Sequence, residues 1–440
     1  MYTKCLDILA KLRSSYWYIP LLLAFLALLL AILTLRLDKL FVWHWLTYVG
    51  WFHANNPEGA RVILSTIAGS MISVAGVSFS ITMVAIAFAG SQVGPRLTSN
   101  FMRDKVNQLT LGMMVATFLY CLFILLALFN ANKTGTEITE NLTFIPQISL
   151  LTAVLFCISS IIILIYFFHH VPDSINMSNV VARVGQELNQ QLTHLFPHNI
   201  GYEQETLPSF ERLYGQKTLI KATESGYVRL INGQHLFNLA KKHDLIVKFQ
   251  KQSGDFVTKG TILLEIYAKQ TLTDQVEKAC KNIFVLGINR NQEQDPLFLV
   301  DELVEIIGRA LSPGVNDPFT AIGCFNWLTL SIQTFLHVTL PSPYRYDEHQ
   351  QLRLIAYPIE FKQLCELVFA RVHAYVAKDR NAAMHMMDML IQLYDSANCT
   401  AQKKLLANYA DALKRATSTT LLAEDATQIS QIYQQKWQTS

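Results

Sequence analysis

The sequence predicts an α-helical membrane protein with four transmembrane helices, plus a cytoplasmic small β-module and an α-helical bundle. Three observations carry this. The first 170 residues hold four long apolar runs without Asp, Glu, Lys, Arg or His, the charge is concentrated after residue 171, and strand-like patterning starts near residue 217 and gives way to helical periodicity near 271. The expected division is a four-span domain over 1–170, a helical linker over 171–216, the β-module over 217–270 and the helical domain over 271–440.

Pro20 to Leu35 is almost pure Leu, Ala and Ile, and with Tyr16-Trp17-Tyr18 ahead of it is long enough to cross. It is too long for a cleaved signal peptide and lacks the small-residue cleavage pattern. The second run, Ser65 to Gly90, extends back to Val62, giving 29 residues. At 1.5 Å per residue that is roughly 44 Å, more than the roughly 30 Å hydrocarbon core requires. Leu109 to Phe129 and Pro146 to Phe168 complete the set. In lipid only a helix satisfies every backbone group of such a run. Pumps and voltage sensors usually need charges in the membrane, and these runs have none.

Basic residues orient the spans. Lys4, Lys11 and Arg13 precede the first, Arg96, Arg103 and Lys105 lie between the second and third, and Arg183 follows the fourth. Short cytoplasmic loops carry the Lys/Arg excess, so both termini are expected in the cytoplasm of a bacterial inner membrane protein. Arg96 and Arg103 are candidate contacts to anionic headgroups or to the cytoplasmic module. Three tryptophans and a tyrosine between Phe41 and Phe52 fit an interfacial cap on the outer face.

Ser65, Gly69, Ser73, Gly76, Ser80 and Ala87 fall within about 80° of arc at 100° per residue. Small residues let helix backbones approach closely, so the preferred reading is packing inside one copy, and a pore wall in an oligomer is the other. On the preferred reading the opposite face, with Ser78 and Ala85, tolerates bulk.

Val171-Pro172 is expected to end the fourth span, because proline disfavours helix in the residue before it. Val180, Val184, Leu188 and Leu192 then lie at helical spacing. Strands are expected at Thr218–Ala222, Gly226–Leu230, Leu245–Phe249 and Gly260–Ile266, with a helical insertion around Gln234 to Asp244. Gly254-Asp255-x-Val257-x-x-Gly260-x-x-Leu263 resembles the central hairpin of the biotinyl/lipoyl-like barrel. The family's acceptor lysine belongs on a methionine-flanked hairpin tip. Here Lys269, in Tyr267-Ala-Lys-Gln, is displaced in register and lacks the methionines, so a scaffold without covalent cofactor is expected.

Seven helices are expected between Asp274 and Gln435, with a polar loop from Pro341 to His349. Between two of these helices lies Arg309-Ala-Leu-Ser-Pro-Gly-Val-Asn-Asp-Pro-Phe-Thr320. Asp317 suits the N-cap of the next helix and Pro318 its first position. Arg309 and Asn316 are the candidates for a ligand or subunit contact, with Asp317 beside them. His169 and His170 are adjacent and point about 100° apart on a helix, which is poor for one metal ion. The Met-rich stretch Ala383 to Met389 reads as core. No phosphate loop, zinc motif, nucleophile elbow or kinase signature is present, so neither a catalytic residue, a metal nor a cofactor is assigned. A net charge of +3 with 16% charged residues is too slight a balance for nucleic-acid binding. Seven scattered cysteines without a CxxC fit reduced thiols.

Ser70-Met-Ile-Ser-Val-Ala-Gly-Val-Ser-Phe-Ser80, Gly90-Ser-Gln-Val-Gly-Pro-Arg-Leu97, His169-His-Val-Pro172, Ala182-Arg-Val-Gly185, Gln294-Asp-Pro296 and the Arg309 to Ala321 stretch resemble a family of predicted bacterial membrane proteins. The family is known as domain of unknown function twenty-two fifty-four. The resemblance covers nearly the whole chain and implies a bacterial inner-membrane protein without an assigned activity. The leading expectation is an oligomeric scaffold or sensor that couples the membrane to a cytoplasmic ligand or partner. A channel or passive transporter is the alternative, and a membrane enzyme comes last. The expected partners are membrane lipid, further copies of the chain, and a small molecule or protein on the cytoplasmic side.

Overall fold

The computed structural model describes residues 16–40, 57–93, 104–131, 145–193, 195–197, 199–204 and 216–437. They divide into two compact units, one ending at Asn176 and the other beginning at Met177.

Among its described residues the first unit has four helices: α1 (Tyr18–Leu40), α2 (Pro57–Val93), α3 (Lys105–Ala131) and α4 (Gln147–Ile175). Helix α3 packs against each of the others. Its buried side is joined to them by hydrogen bonds: Tyr120 Oη with Thr34 Oγ1 at 2.9 Å, Tyr120 Oη to the Ser149 carbonyl at 3.2 Å, and Thr117 Oγ1 with Ser160 Oγ at 2.8 Å. Such bonds hold helices together where apolar burial offers no net drive. Asp38 on α1 accepts the Ile148 and Ser149 amides at 2.9 and 3.0 Å and the Ser149 hydroxyl at 2.7 Å. A carboxylate from one helix thus caps the N-terminus of another, where unpaired N–H groups favour negative charge. Asp104 caps α3 through the Val106 amide at 2.7 Å and lies 2.6 Å from His170 Nε2.

Pro172, expected to end the fourth span, does not end the helix. Helix α4 continues to Ile175 with Pro172 inside its last turn, and Asn176 leaves the helix with extended ψ. So near the terminus, the missing N–H deprives only one carbonyl of its partner.

The second unit begins with α5 (Met177–Leu192), which buries Val180, Val184, Leu188 and Leu192. It packs on α8 (Pro296–Ala310) and α9 (Pro318–His337). Residues 177–192 therefore belong to a folded unit, whereas a linker is expected there from the sequence. Gly185 is required at this contact, because a Cβ would sit 2.6 Å from the Trp327 side chain.

The strands form two sheets. β3 (Gly226–Ile231) pairs with β5 (Phe256–Val257) and β7 (Phe284–Gly287). The larger sheet runs in the order β1 (Tyr202–Gln204), β8 (Tyr344–Tyr346), β9 (Leu352–Ile355), β4 (Ile246–Phe249), β6 (Ile262–Ala268), β2 (Gln216–Lys221). Only β4 and β9 are parallel in it, with Val247 opposite Leu354. Residues 217–270 thus do not fold among themselves: β7 lies in a stretch expected to be helical, and β8 begins inside the expected polar loop. Helix α6 (Gly233–Lys242) fills the insertion, and α7 (Asp274–Lys281) precedes β7. Lys269 is ion-paired with Asp244 at 2.6 Å.

The chain continues through α10 (Phe361–Cys365), a π-helical turn over Glu366–Ala370 and α11 (Arg371–Val376), then α12 (Arg380–Ser396), α13 (Thr400–Thr420) and α14 (Ala423–Trp437). Helix α9 is embedded between α5, α8 and α12. Among the described residues five helices are long and apolar enough to cross a membrane, namely α1 to α4 and α9.

Candidate functional site

Helix α5, the turn after it, the end of β3, the 252–253 hairpin and the start of α8 line an open-sided cavity of about 520 Å³. Its apolar walls are Leu195, Phe196, Ile200, Ile231, Leu297 and Ile359, with Tyr357 beside them. Its polar lining is Glu187, Gln190, Gln191, Asn199, Gln252, Ser253, Glu293, Gln294 and Asp295. This size and mixture suit a small molecule.

Each wall is positioned by its own chemistry. Leu188 and Leu192 are drawn into the core and turn Glu187, Gln190 and Gln191 toward the cavity side of α5. Gln191 Nε2 donates to the Gln292 carbonyl at 2.8 Å. Gln294 behaves as a strand neighbour for Ile231, accepting its amide at 2.8 Å and donating to its carbonyl at 3.4 Å. Gln252 Nε2 donates to the Tyr357 carbonyl at 2.6 Å, and Ser253 Oγ to the Arg229 carbonyl at 3.1 Å. Gly254 is needed at the hairpin: its φ is +91° and a Cβ would run into the Asp295 carboxylate.

Asp295 is the fixed point of the floor. It is buried, caps α8 through the Phe298 amide at 3.2 Å and accepts from Arg290 Nε at 2.8 Å. Arg290 also reaches Asp301 at 2.5 Å, and Asp301 holds Arg371 at 2.5 Å. Burial acts to lower the Arg290 pKa, but Asp295 and Asp301 outweigh it and raise it above the ordinary value. The guanidinium is therefore a permanent charge that locks the loop before α8 to the helix itself.

The residues singled out in the sequence lie elsewhere. Arg309 is 3.4 Å from Glu305, one turn back on α8. Asn316 is exposed with φ +50°, a conformation Asn tolerates better than most residues. Asp317 caps α9, accepting the Thr320 amide at 3.1 Å and hydroxyl at 2.6 Å. None of the three lines the cavity. Arg96, Arg103 and the aromatic stretch from Phe41 to Phe52 lie outside the described residues.

The α2 stripe is placed differently from the preferred expectation. Ser65, Gly69, Ser73, Gly76 and Ser80 are all exposed, and a Cβ at Gly69 or Gly76 would meet nothing within 4 Å. The packed side of α2 carries Leu64, Ala68, Met71, Ala75, Ser78 and Thr82. Ser78, expected to tolerate bulk, is 3% exposed and donates to Met114 Sδ at 3.8 Å. Packing of the stripe inside one copy is thereby overturned. Ser65 and Ser73 donate to the Val62 and Gly69 carbonyls of their own helix at 3.0 and 2.9 Å, which lets them face an apolar surround. Among the described residues no group of three or more His, Cys, Asp or Glu is placed to hold a metal.

The family described as Predicted membrane protein (DUF2254) matches residues 13–392, and the chain belongs to that family. An uncharacterized protein of Mycobacterium bovis is 26% identical over 359 residues, 80% of this chain and 66% of the relative. An uncharacterized protein of Mycobacterium tuberculosis matches to the same extent. The chain therefore spans about two thirds of the length of these curated relatives. No solved structure matches it.

Proposed function

We propose that this family member is a sensor or scaffold of the bacterial inner membrane, whose soluble unit binds a small molecule and whose membrane unit self-associates. The cavity of about 520 Å³ is the observation that carries this reading. Helix α5 supplies one of its walls and is separated from the end of α4 by Asn176 alone. Ligand contacts at Glu187, Gln190 and Gln191 thus act on the segment that continues directly from the last apolar helix.

Helices α1 to α4 are the four spans, and both termini are cytoplasmic. The Lys/Arg residues at 4, 11, 13, 96, 103, 105 and 183 support that orientation. Helix α9 is not a fifth span: it is the least apolar of the five helices and packs between α5, α8 and α12 of its own unit. The exposed stripe of α2 is the face on which copies meet, because small residues permit close backbone approach. The same stripe supports the second reading, a channel, in which Ser65, Ser73 and Ser80 of several copies line a passage.

A compound screen by thermal shift on the full chain in nanodiscs tests the sensor reading. A ligand at 100 times its Kd stabilises a two-state fold by about 2.7 kcal/mol. Stabilising compounds are expected to lose their effect in Gln190→Trp, which places an indole over the cavity from the exposed side of α5. Hits that stabilise Gln190→Trp equally well count against the cavity. Ion flux through proteoliposomes that falls in Ser73→Leu, with assembly unchanged, favours the channel.

A further inference from the structure

We propose that the turn between α8 and α9, with Val315 and Phe319 at its tip, docks among the lipid headgroups of the membrane that holds α1 to α4; this rests on the reading of those helices as the four spans. Gln191, in the last turn of α5, donates to the Gln292 carbonyl at 2.8 Å, so α8 starts beside the end of α5. Helices α8 and α9 pack along α5, and Val180 and Val181 near its start are buried. Midway, Trp327 of α9 lies against Gly185. The Asp317 amide donates to the Ala310 carbonyl at 2.8 Å, which keeps the end of α8 next to the start of α9. Beyond α9, the Pro343 carbonyl accepts the Ala356 amide at 2.8 Å, and the neighbouring Tyr357 lines the cavity with Gln190 and Gln191. Helix α9 thus runs beside α5 in the same sense, and the 311–317 turn falls at the end where α5 begins. Covalently, Asn176 alone separates that end from α4.

The groups at this end suit a bilayer surface. Phe319 is 74% exposed, and Val315 is exposed with it. The turn is fixed from within, since the Ser312 carbonyl accepts the Val315 and Asn316 amides at 3.1 and 2.9 Å. Tyr375, also exposed, lies beside Gly308 in the last turn of α8. A single exposed apolar side chain is ordinary, whereas several at one end of a folded unit mark a contact surface. Aromatic rings settle at headgroup level. Arg309 and Lys378 add basic groups of the kind drawn to anionic headgroups. The carboxylates close in sequence are engaged: Glu305 with Arg309 at 3.4 Å, and Asp317 and Asp379 as caps of α9 and α12. The span that feeds α5 keeps lipid within constant reach, at an effective concentration that a separate partner lacks.

The photo-crosslinking aromatic p-benzoylphenylalanine, replacing Phe319 or Leu330 in turn in the full chain in nanodiscs, tests this. Adducts are identified by mass spectrometry, with an unchanged melting temperature as the control for folding. Leu330 is exposed on the same face of α9, about 16 Å further along. Lipid adducts at 319 are expected to exceed those at 330 several-fold. Adducts at 319 to a second copy of the chain, without lipid, make the turn a subunit interface and overturn the proposal. Few adducts at either position also overturn it and leave the four-span reading standing. Abundant lipid adducts at both positions place α9 in the bilayer and overturn the surface contact together with the four-span reading.

Discussion

In the unit that ends at Asn176 the buried positions mix small or hydroxylated side chains, among them Ala27, Ala31, Ala68, Ala75, Ala153, Thr117 and Ser160, with large ones such as Leu64, Met114, Ile124 and Leu128, and further large apolar side chains such as Leu21, Leu26 and Ile162 point outward. In the unit from Met177, Leu299, Leu303, Phe325, Leu328, Ile332 and Leu390 fill the interior. An exposed leucine therefore has a different value in the two halves. In lipid the outer surface is indifferent to Leu and the inside depends on close approach and hydrogen bonds. In water the inside depends on apolar area removed from solvent. Helix α9 shows why composition cannot separate the two. It is apolar enough to cross a membrane, yet nine of its residues, including Ser331 and Thr329, are buried among neighbouring helices.

The sharpest way to break this contrast is a matched pair of leucine truncations. Leu328→Ala, at a fully buried site in α9, is expected to cost about 2–5 kcal/mol. Leu26→Ala, 49% exposed on α1, is expected to change stability by less than about 0.5 kcal/mol. Equal losses in chemical denaturation of the detergent-solubilised chain show that the two units are built alike.

A smaller effect sharpens the membrane half. Ser78→Leu inserts bulk against Met114 and is expected to destabilise by about 1–3 kcal/mol, the usual range for overpacking. Ser73→Leu, on the exposed stripe, is expected to leave the melting temperature of one copy unchanged and to shift cross-linked or native-mass species toward the monomer. Loss of thermal stability in Ser73→Leu without loss of assembly contradicts the outward placement of the stripe.

The smallest effect belongs to the unit from Met177 alone. Hydrogen bonds from Lys269, then from Arg353, hold the Asp244 carboxyl down at about 2, against an ordinary value of 3.8. A carboxyl more acidic in the folded than in the unfolded chain contributes stability that is complete above its ordinary pKa and is lost as pH falls toward the folded value. Thermal stability is therefore expected to drop between about pH 4 and pH 2, and Asp244→Asn to flatten part of that slope. The site is partly exposed, so solvent screening keeps the effect modest.

How far these features are legible in the sequence follows from their physics. The runs from Pro20, Ser65, Leu109 and Pro146 are readable because each is a long stretch free of charge, and α5 because Val180, Val184, Leu188 and Leu192 keep helical spacing. β8 and β9 are not, since Tyr-Arg-Tyr and Leu-Arg-Leu-Ile are short and carry Arg345 and Arg353, buried charges that look like loop residues. The direction of the α2 stripe is equally hidden: smallness allows either close packing or exposure, and only the neighbours decide. The polar part of the cavity lining is mostly Gln, Asn and Glu drawn from segments distant in sequence. Such residues carry no diagnostic spacing, whereas the Arg309 to Thr320 stretch is conspicuous because capping and turning restrict residue type. The one local sign was Gln294-Asp-Pro296, which places an N-cap directly beside a glutamine.

The most direct test of the account is whether α9 lies in water-side protein. Compartment reporters inserted at Gln270, in an exposed turn ahead of α9, and fused after Ser440, beyond it, are compared in the same cells. The account predicts that both report the cytoplasm, because only α1 to α4 cross. A reporter at Gln270 on one side of the membrane and one after Ser440 on the other makes α9 a span and contradicts it.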